Sequence, residues 1–252
     1  MMLFKKQLII VFLVFSSVVM AQKSAIYTSD LQDYQKALAL YNNKQYKAAQ
    51  SLFDDIKDET NDVTIQSDCA YYIANCAVRL NQKNADDLIT AFVEEYPTST
   101  KRNTAFLDVA DYYFDNGKYA YSRKWYEKVD ERSIARSEKE RYNFNYGYSL
   151  YSTKDEKQAT KYLNRVVNSE EYGSQAKYYI GFLAYQGDDY DTANEYFDQV
   201  SDNEKYKEKL SYYQADLNFK LGKFEKAIEL AKAQLKSGDR NEVSELSKII
   251  GE

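Results

Sequence analysis

Histidine is absent from this chain, and the 252 residues include one proline, eight glycines and two cysteines. Without histidine the chain lacks the side chain whose charge changes near neutral pH and the commonest metal ligand. No Ser-His or Cys-His nucleophile can be assembled either. So little glycine and proline leaves few turn formers, which favours long helices with short connections. Residues 22–252 carry 32 basic and 39 acidic side chains, and the basic ones are scattered. No phosphate-tracking surface is visible, and nucleic acid is not an expected partner. Cys69 and Cys76 lie seven residues apart, roughly 10 Å along a helix, too far for a disulfide. They read as two small buried apolar residues.

Tyrosine is abundant, at 26 residues, and it lowers the mean hydropathy to −0.69 although 44% of residues are hydrophobic. A tyrosine buries a ring and keeps a polar tip, which suits half-buried surfaces. At the N-terminus Lys5 and Lys6 precede an apolar run from Leu8 to Met20, ending in Val19-Met20-Ala21. A charged start, about a dozen apolar residues and small side chains before the cut fit a secretory signal peptide over 1–21, cleaved after Ala21. The run is shorter than the roughly 20 residues a spanning helix needs. Residues 22–29 then read as a short linker. The expected destination is the periplasm or outer envelope, with membrane association only through partners.

From residue 30 the chain repeats itself. A small residue is followed three positions later by a large one, then a polar or glycine turn, an aromatic, and a second small residue with a large one four later. The copies read Ala37, Leu40, Tyr46, Ala49, Phe53; Ala110, Tyr113, Gly117-Lys118-Tyr119, Ser122, Tyr126; Gly147, Leu150, Ala159, Leu163; Gly181, Ala184, Gly187, Tyr190, Ala193, Phe197; and Ala215, Gly222-Lys223-Phe224, Ala227, Ala231. A weaker copy runs over 69–97, with Ala74, Ala77, Leu80, Leu88 and Phe92, and with Asp87 in the place of the second small residue. The second small positions fall at 49, 87, 122, 159, 193 and 227, a period of 34–38 residues. Small residues let antiparallel helices approach, and one pair cannot bury its own apolar stripe, so pairs must stack. Gly117, Gly187 and Gly222 stand at helix ends, where a positive φ is tolerated.

The period and the Gly-Lys-Tyr/Phe-x-x-Ala/Ser turn resemble the tetratricopeptide repeat. Glu95-Tyr96-Pro97-Thr98-Ser99 is also similar to the ending of such repeats in bacterial envelope proteins. The resemblance implies an all-α fold, a right-handed superhelical solenoid of antiparallel helix pairs, with six pairs over 30–240. Residues 241–252 read either as a capping helix or as the start of a seventh repeat, and Leu246, Ile249 and Ile250 supply its apolar stripe.

Nothing in the sequence reads as a catalytic centre. The pairs Asp54-Asp55, Asp86-Asp87, Glu94-Glu95 and Asp188-Asp189 are adjacent in sequence and diverge on a helix. Asp188-Asp189-Tyr190-Asp191 lacks the spacing and closing glutamate of a calcium loop. There is no phosphate-binding glycine loop and no cysteine cluster, so neither cofactor nor metal is expected.

The resemblance also implies that first helices line a concave face, with positions three before and four after the small residue pointing into it. Three before gives Tyr34, Tyr71, Leu107, Phe144, Tyr178 and Tyr212; four after gives Tyr41, Val78, Phe114, Tyr151, Tyr185 and Phe219. Ten of these twelve are aromatic, against 15% for the chain. One after the small residue stand Leu38, Asn75, Asp111, Tyr148, Phe182 and Asp216, not the Lys and Asn set of members that clamp a carboxylate terminus. Two readings stay open for the aromatics: packing between adjacent first helices, or an aromatic-lined groove for a segment of a partner. The functional expectation is a non-enzymatic protein-binding scaffold of the envelope that uses Tyr34, Tyr41, Tyr71, Phe114, Phe144, Tyr148, Tyr151, Tyr178, Phe182, Tyr185, Tyr212 and Phe219. A module for glycan or peptidoglycan fragments would use the same rings. An enzyme with this array as its accessory part would need catalytic residues beyond Glu252.

Overall fold

The computed structural model describes residues 31–237 and 243–251. The leader and linker expected over 1–29 lie outside them. Among the described residues the chain is all helix and turn, with no strand. The helices are α1 (31–42), α2 (Tyr46–Glu59), α3 (Val63–Arg79), α4 (Ala85–Glu95), α5 (Arg102–Asp115), α6 (Tyr119–Tyr126), α7 (Lys139–Ser152), α8 (Glu156–Asn164), α9 (Gly173–Gln186), α10 (Tyr190–Asp198), α11 (Glu204–Lys220), α12 (Phe224–Ser237) and α13 (Val243–Gly251). A short 3₁₀ turn, Arg136–Glu138, precedes α7. The fold is an all-α solenoid of helix pairs. It divides into two compact units between Val109 and Ala110, inside α5.

Each first helix stops the same way. Lys44, Asn81, Gly117, Lys154, Asp188 and Gly222 all have positive φ, between 54° and 71°, at intervals of 34–37 residues. The N–H of the following residue donates back to a carbonyl of the last helical turn: Gln45 to Leu40, Gln82 to Ala77, Lys118 to Tyr113, Asp155 to Leu150, Asp189 to Ala184 and Lys223 to Asn218, at 2.8–3.0 Å. A left-handed residue closed by such a bond satisfies carbonyls that the helix end leaves without partners. Gly187 is not the left-handed residue expected from its sequence position. Its φ is −90°, and Asp188 takes the turn. An aspartate tolerates this region better than most residues because its short polar side chain bonds locally. The neighbouring Asp189 caps α10, accepting from Thr192 N at 3.2 Å. The acidic pair is therefore part of the turn itself.

Each second helix, together with its closing turn in α6, α8 and α10, buries positions i, i+4 and i+7. The sets are Ala49, Phe53 and Ile56; Ala85, Ile89 and Phe92; Ser122, Tyr126 and Val129; Ala159, Leu163 and Val166; Ala193, Phe197 and Val200; and Ala227, Ala231 and Gln234. The small residue of the weak copy is thus Ala85, and Asp87 is exposed. The connection Leu80–Asn84 is longer than its counterparts, which shifts the register of α4 on its partner. The small residues permit close approach. A Cβ added to Gly147 would lie 2.9 Å from Leu163 Cγ, and one on Gly181 would lie 2.5 Å from Phe197 Cε1.

In the first unit Ala37, Ala49, Phe53, Ile56, Cys69, Ile73 and Cys76 form one core cluster, and Ala70, Phe92 and Ala105 another. Both cysteines are free and fully buried on α3, and burial pushes their thiols up to about 12. In the second unit Phe182, Ala193, Phe197, Val200, Leu210 and Leu217 form a core, and Trp125 is fully buried. Burying one such large apolar side chain contributes about 1.5–3 kcal/mol. α13 packs on α11 and α12, with Leu246 and Ile249 buried against Ala215, Ala227 and Ala231, and Ile250 partly buried. Among the described residues no helix is long and apolar enough to cross a membrane.

Candidate functional site

The first unit sets Tyr34 on α1, and Tyr71 and Tyr72 on α3, into one row of half-buried rings. Tyr34 packs edge-on to Tyr72 at 6.5 Å, Tyr41 to Tyr72 at 5.0 Å, and Tyr71 to Tyr72 at 5.0 Å. The hydroxyls reach into the next pair. Tyr34 Oη donates to Asp68 Oδ2 at 2.9 Å, and Tyr71 Oη donates to Asp108 Oδ2 at 2.6 Å. Burial, then the adjacent carboxylate, raises both phenols, so they stay protonated donors. Arg79 lies over Tyr41 at 5.1 Å and Tyr46 at 5.7 Å, while Lys101 lies over Tyr71 and Tyr72 and pairs with Asp68 at 3.5 Å. Cation–ring contacts of this kind add about 0.5–1 kcal/mol at exposed sites.

The second unit carries a longer series. Phe114 and Tyr119 meet Tyr148, whose ring lies 4.8 Å from Tyr179; Tyr151 approaches Tyr179 at 4.9 Å and Tyr178 approaches it at 5.2 Å. Tyr178 continues to Phe182, then Tyr213, Tyr185 and Tyr212, at spacings of 4.6–5.3 Å. Phe114, Tyr148, Tyr151, Tyr178, Tyr185, Tyr212 and Phe219 are half-buried, whereas Phe144 and Phe182 are buried. The two buried rings fill the stack: Phe144 lies on Tyr172 at 5.0 Å and Phe182 on Phe197 at 5.1 Å. Burial pushes the Tyr178 phenol up to about 12.

At one end of this series Tyr185 Oη donates to Asp216 Oδ2 at 2.5 Å. Lys220 Nζ sits 3.1 Å from the same carboxylate and 4.6 Å over the Tyr185 ring. Asp111, expected one position after a small residue, does not face an open groove. It is buried and accepts from Tyr126 Oη and, at 3.3 Å, from Asn145 Nδ2, with Arg141 at 2.9 Å. Burial outweighs these three partners and raises its carboxyl above the usual value.

The sequence reading missed Tyr72, Tyr179 and Tyr213, which join neighbouring rows. All three stand two before a small residue, but the other copies have Gln35, Asp108 and Asn145 there, so the signal is half-filled. It also missed Lys220 and Arg79, each five after a small residue. The rows offer aromatic edges flanked by neutral hydroxyls and by paired charges of both signs. This is chemistry for holding a surface.

The tetratricopeptide repeat family matches residues 68–99 and 175–204. No curated protein matches the sequence. Among solved structures, the chain is similar to the C-terminal part of a tetratricopeptide repeat-containing protein from Cytophaga hutchinsonii, with a TM-score of 0.63 at 16% identity, over 84% of this chain and 85% of that one. It is also similar to YrrB, described as a tetratricopeptide-repeat protein with an unusual peptide-binding site. That match has a TM-score of 0.56 at 18% identity, over 78% of this chain and 97% of that one. A protein of the same repeat class from Parabacteroides merdae gives 0.52 at 14%, over 88% and 100%. At these identities the likeness is one of fold.

Proposed function

We propose that this chain, a tetratricopeptide-repeat protein by its fold and by two of its copies, is a non-enzymatic scaffold of the cell envelope. It holds an extended or helical segment of a partner protein along the aromatic rows of its first helices. The observation that carries the reading is the half-burial of Tyr148, Tyr151, Tyr178 and Tyr185. Rings used for packing alone would be closed over like Phe144 and Phe182. These four keep part of their surface open, and tyrosine supplies contact area at low entropic cost. The peptide-binding site named for YrrB supports a segment of polypeptide as the class of ligand.

Export rests on Lys5, Lys6, the apolar run and Val19-Met20-Ala21. N-terminal sequencing of the mature protein should begin at Gln22. Crosslinking in the native cell, with the attached protein then identified, tests the scaffold. The triple variant Tyr151→Ala, Tyr178→Ala, Tyr185→Ala should lose the crosslinked partner while keeping its helical signal. Normal capture by the triple variant sinks the groove and leaves the packing role. A glycan array run in parallel covers the rival ligand. Saturable glycan binding with no co-purifying protein reverses the choice.

A further inference from the structure

We infer, on the premise that the rows hold a partner segment, that the middle of the second unit's row, on α7 and α9, takes a proline-rich segment in the polyproline II conformation.

Three of the row tyrosines have spent their hydroxyls, Tyr34 on Asp68, Tyr71 on Asp108 and Tyr185 on Asp216. Tyr151 and Tyr178 have not. Tyr151 is the counterpart of Tyr185, four after a small residue, but Phe182 stands at the position that Asp216 holds for Tyr185. Tyr178 is the counterpart of Tyr34 and Tyr71, three before a small residue, and Lys209 and Tyr213 stand at the positions that correspond to Asp68 and Asp108. Among the described residues neither hydroxyl has a hydrogen-bond partner, and neither is closed off from solvent. Charge is missing here as well. α7 carries none from Tyr142 to Ser152 and α9 none from Tyr178 to Gln186, in a chain with 29% charged residues. An acidic or basic segment would find no ion-pair partner on these stretches.

The rings themselves meet edge to face. Tyr179 crosses Tyr148 at 68° and Tyr178 at 82°, and Tyr178 crosses Phe182 at 62°. In such contacts the electron-rich faces are taken up by neighbouring edges. What the row offers a ligand is positive ring edge and hydroxyl hydrogen, and the complement of that surface is an uncharged oxygen acceptor. A sugar, which stacks its flat face on an open ring, matches it poorly. A helical segment does too, because its carbonyls are already bonded within the helix. A polyproline II strand has no internal hydrogen bonds, so its carbonyls are free to accept from Tyr151 and Tyr178. Other residues in that conformation would bring N–H groups, which lose water at a cost against a row that supplies no carboxylate. Proline brings none. Its preset backbone also loses little freedom on docking against aromatic side chains.

The test is titration calorimetry of the whole chain with a proline decapeptide blocked at both ends, beside a blocked Ala-Gln decapeptide that favours helix. The proline peptide should bind at least roughly tenfold more tightly than the helical one. Tyr151→Phe combined with Tyr178→Phe keeps both rings and removes only the hydroxyls. That variant should lose roughly tenfold in affinity for the proline peptide while its melting temperature stays at the parent's. No binding of the proline peptide, equal binding of the two peptides, or a double variant that binds as well as the parent overturns the proposal. A double variant that melts lower overturns it as well, because the hydroxyls would then be engaged within the fold. So does an uncharged oligosaccharide that binds more tightly than the proline peptide and loses affinity in the same variant. None of these outcomes decides the scaffold reading, which stands or falls on capture of the native partner by the Tyr151→Ala, Tyr178→Ala, Tyr185→Ala variant.

Discussion

Gly181 on α9 faces the ring of Phe197 on α10 so closely that a methyl on its Cα would lie 2.5 Å from Cε1 and 2.6 Å from Cδ1. The two helices of this pair cross at hydrogen-for-ring contact. Gly181→Ala should therefore cost about 1–3 kcal/mol through overpacking. At Gly117 nothing lies within 4 Å of the added atom, and φ is +69°. Gly117→Ala should cost about 1–2 kcal/mol, all of it backbone strain. Urea denaturation of the two variants measures both. A Gly181→Ala protein as stable as its parent would remove the close crossing.

The left-handed position recurs with lysine at 44 and 154. Lys154→Gly should raise stability by about 0.5–1 kcal/mol, because relief of strain exceeds the added freedom of the unfolded chain. Gly222→Lys should lower it by a similar amount. A destabilised Lys154→Gly protein would mean that the lysine side chain makes a contribution greater than its backbone strain.

Asp111 gives a pH dependence of defined sign. Burial raises its carboxyl above the unfolded value despite Tyr126, Arg141 and Asn145. A folded-state pKa above the unfolded one means that the native state binds the proton more tightly, so this group favours folding more as pH falls through the folded value. Denaturation of the parent and of Asp111→Asn, at neutral pH and within the carboxylate range, should show the difference moving in the parent's favour on acidification. Movement the other way would mean that the Arg141 ion pair prevails over desolvation.

Cys69 and Cys76 should resist a thiol reagent at mildly alkaline pH. Both are fully buried, and their thiols are pushed up to about 12, far from the reactive thiolate. Two equivalents should react on addition of denaturant. Rapid labelling of the native protein would place α3 in frequent local opening.

The fold class was legible because small residues are hard to explain except by close approach. Ala37, Ala49, Ala110, Ser122, Ala159, Ala193, Ala215 and Ala227 are all fully buried. The weak copy misled at Asp87, since its longer connection shifts the register and Ala85 had no aromatic or glycine to mark it. The division at Val109 was illegible: it falls inside α5, with no glycine, proline or polar run beside it. In the candidate site the aromatic positions were readable from their spacing. Their hydroxyl partners were not, because Asp68, Asp108 and Asp216 lie 31–37 residues further on and only stacking brings them near. Phe144 and Phe182 sit at positions like those of their half-open neighbours, and only packing decides which rings close over.

The tyrosine–aspartate bonds from one first helix to the next have a direction, unlike the Tyr126 to Asp111 bond within one pair. In Tyr34 to Asp68, Tyr71 to Asp108 and Tyr185 to Asp216, the donor always comes first in the chain. A ribosome therefore makes the hydroxyl before the carboxylate that will receive it, by roughly 2–7 seconds at ordinary elongation rates. Each emerging helix brings an acceptor to a donor already waiting, and an unpaired tyrosine tip can rest in water until it arrives. Assembly along each of these bonds follows the order of translation.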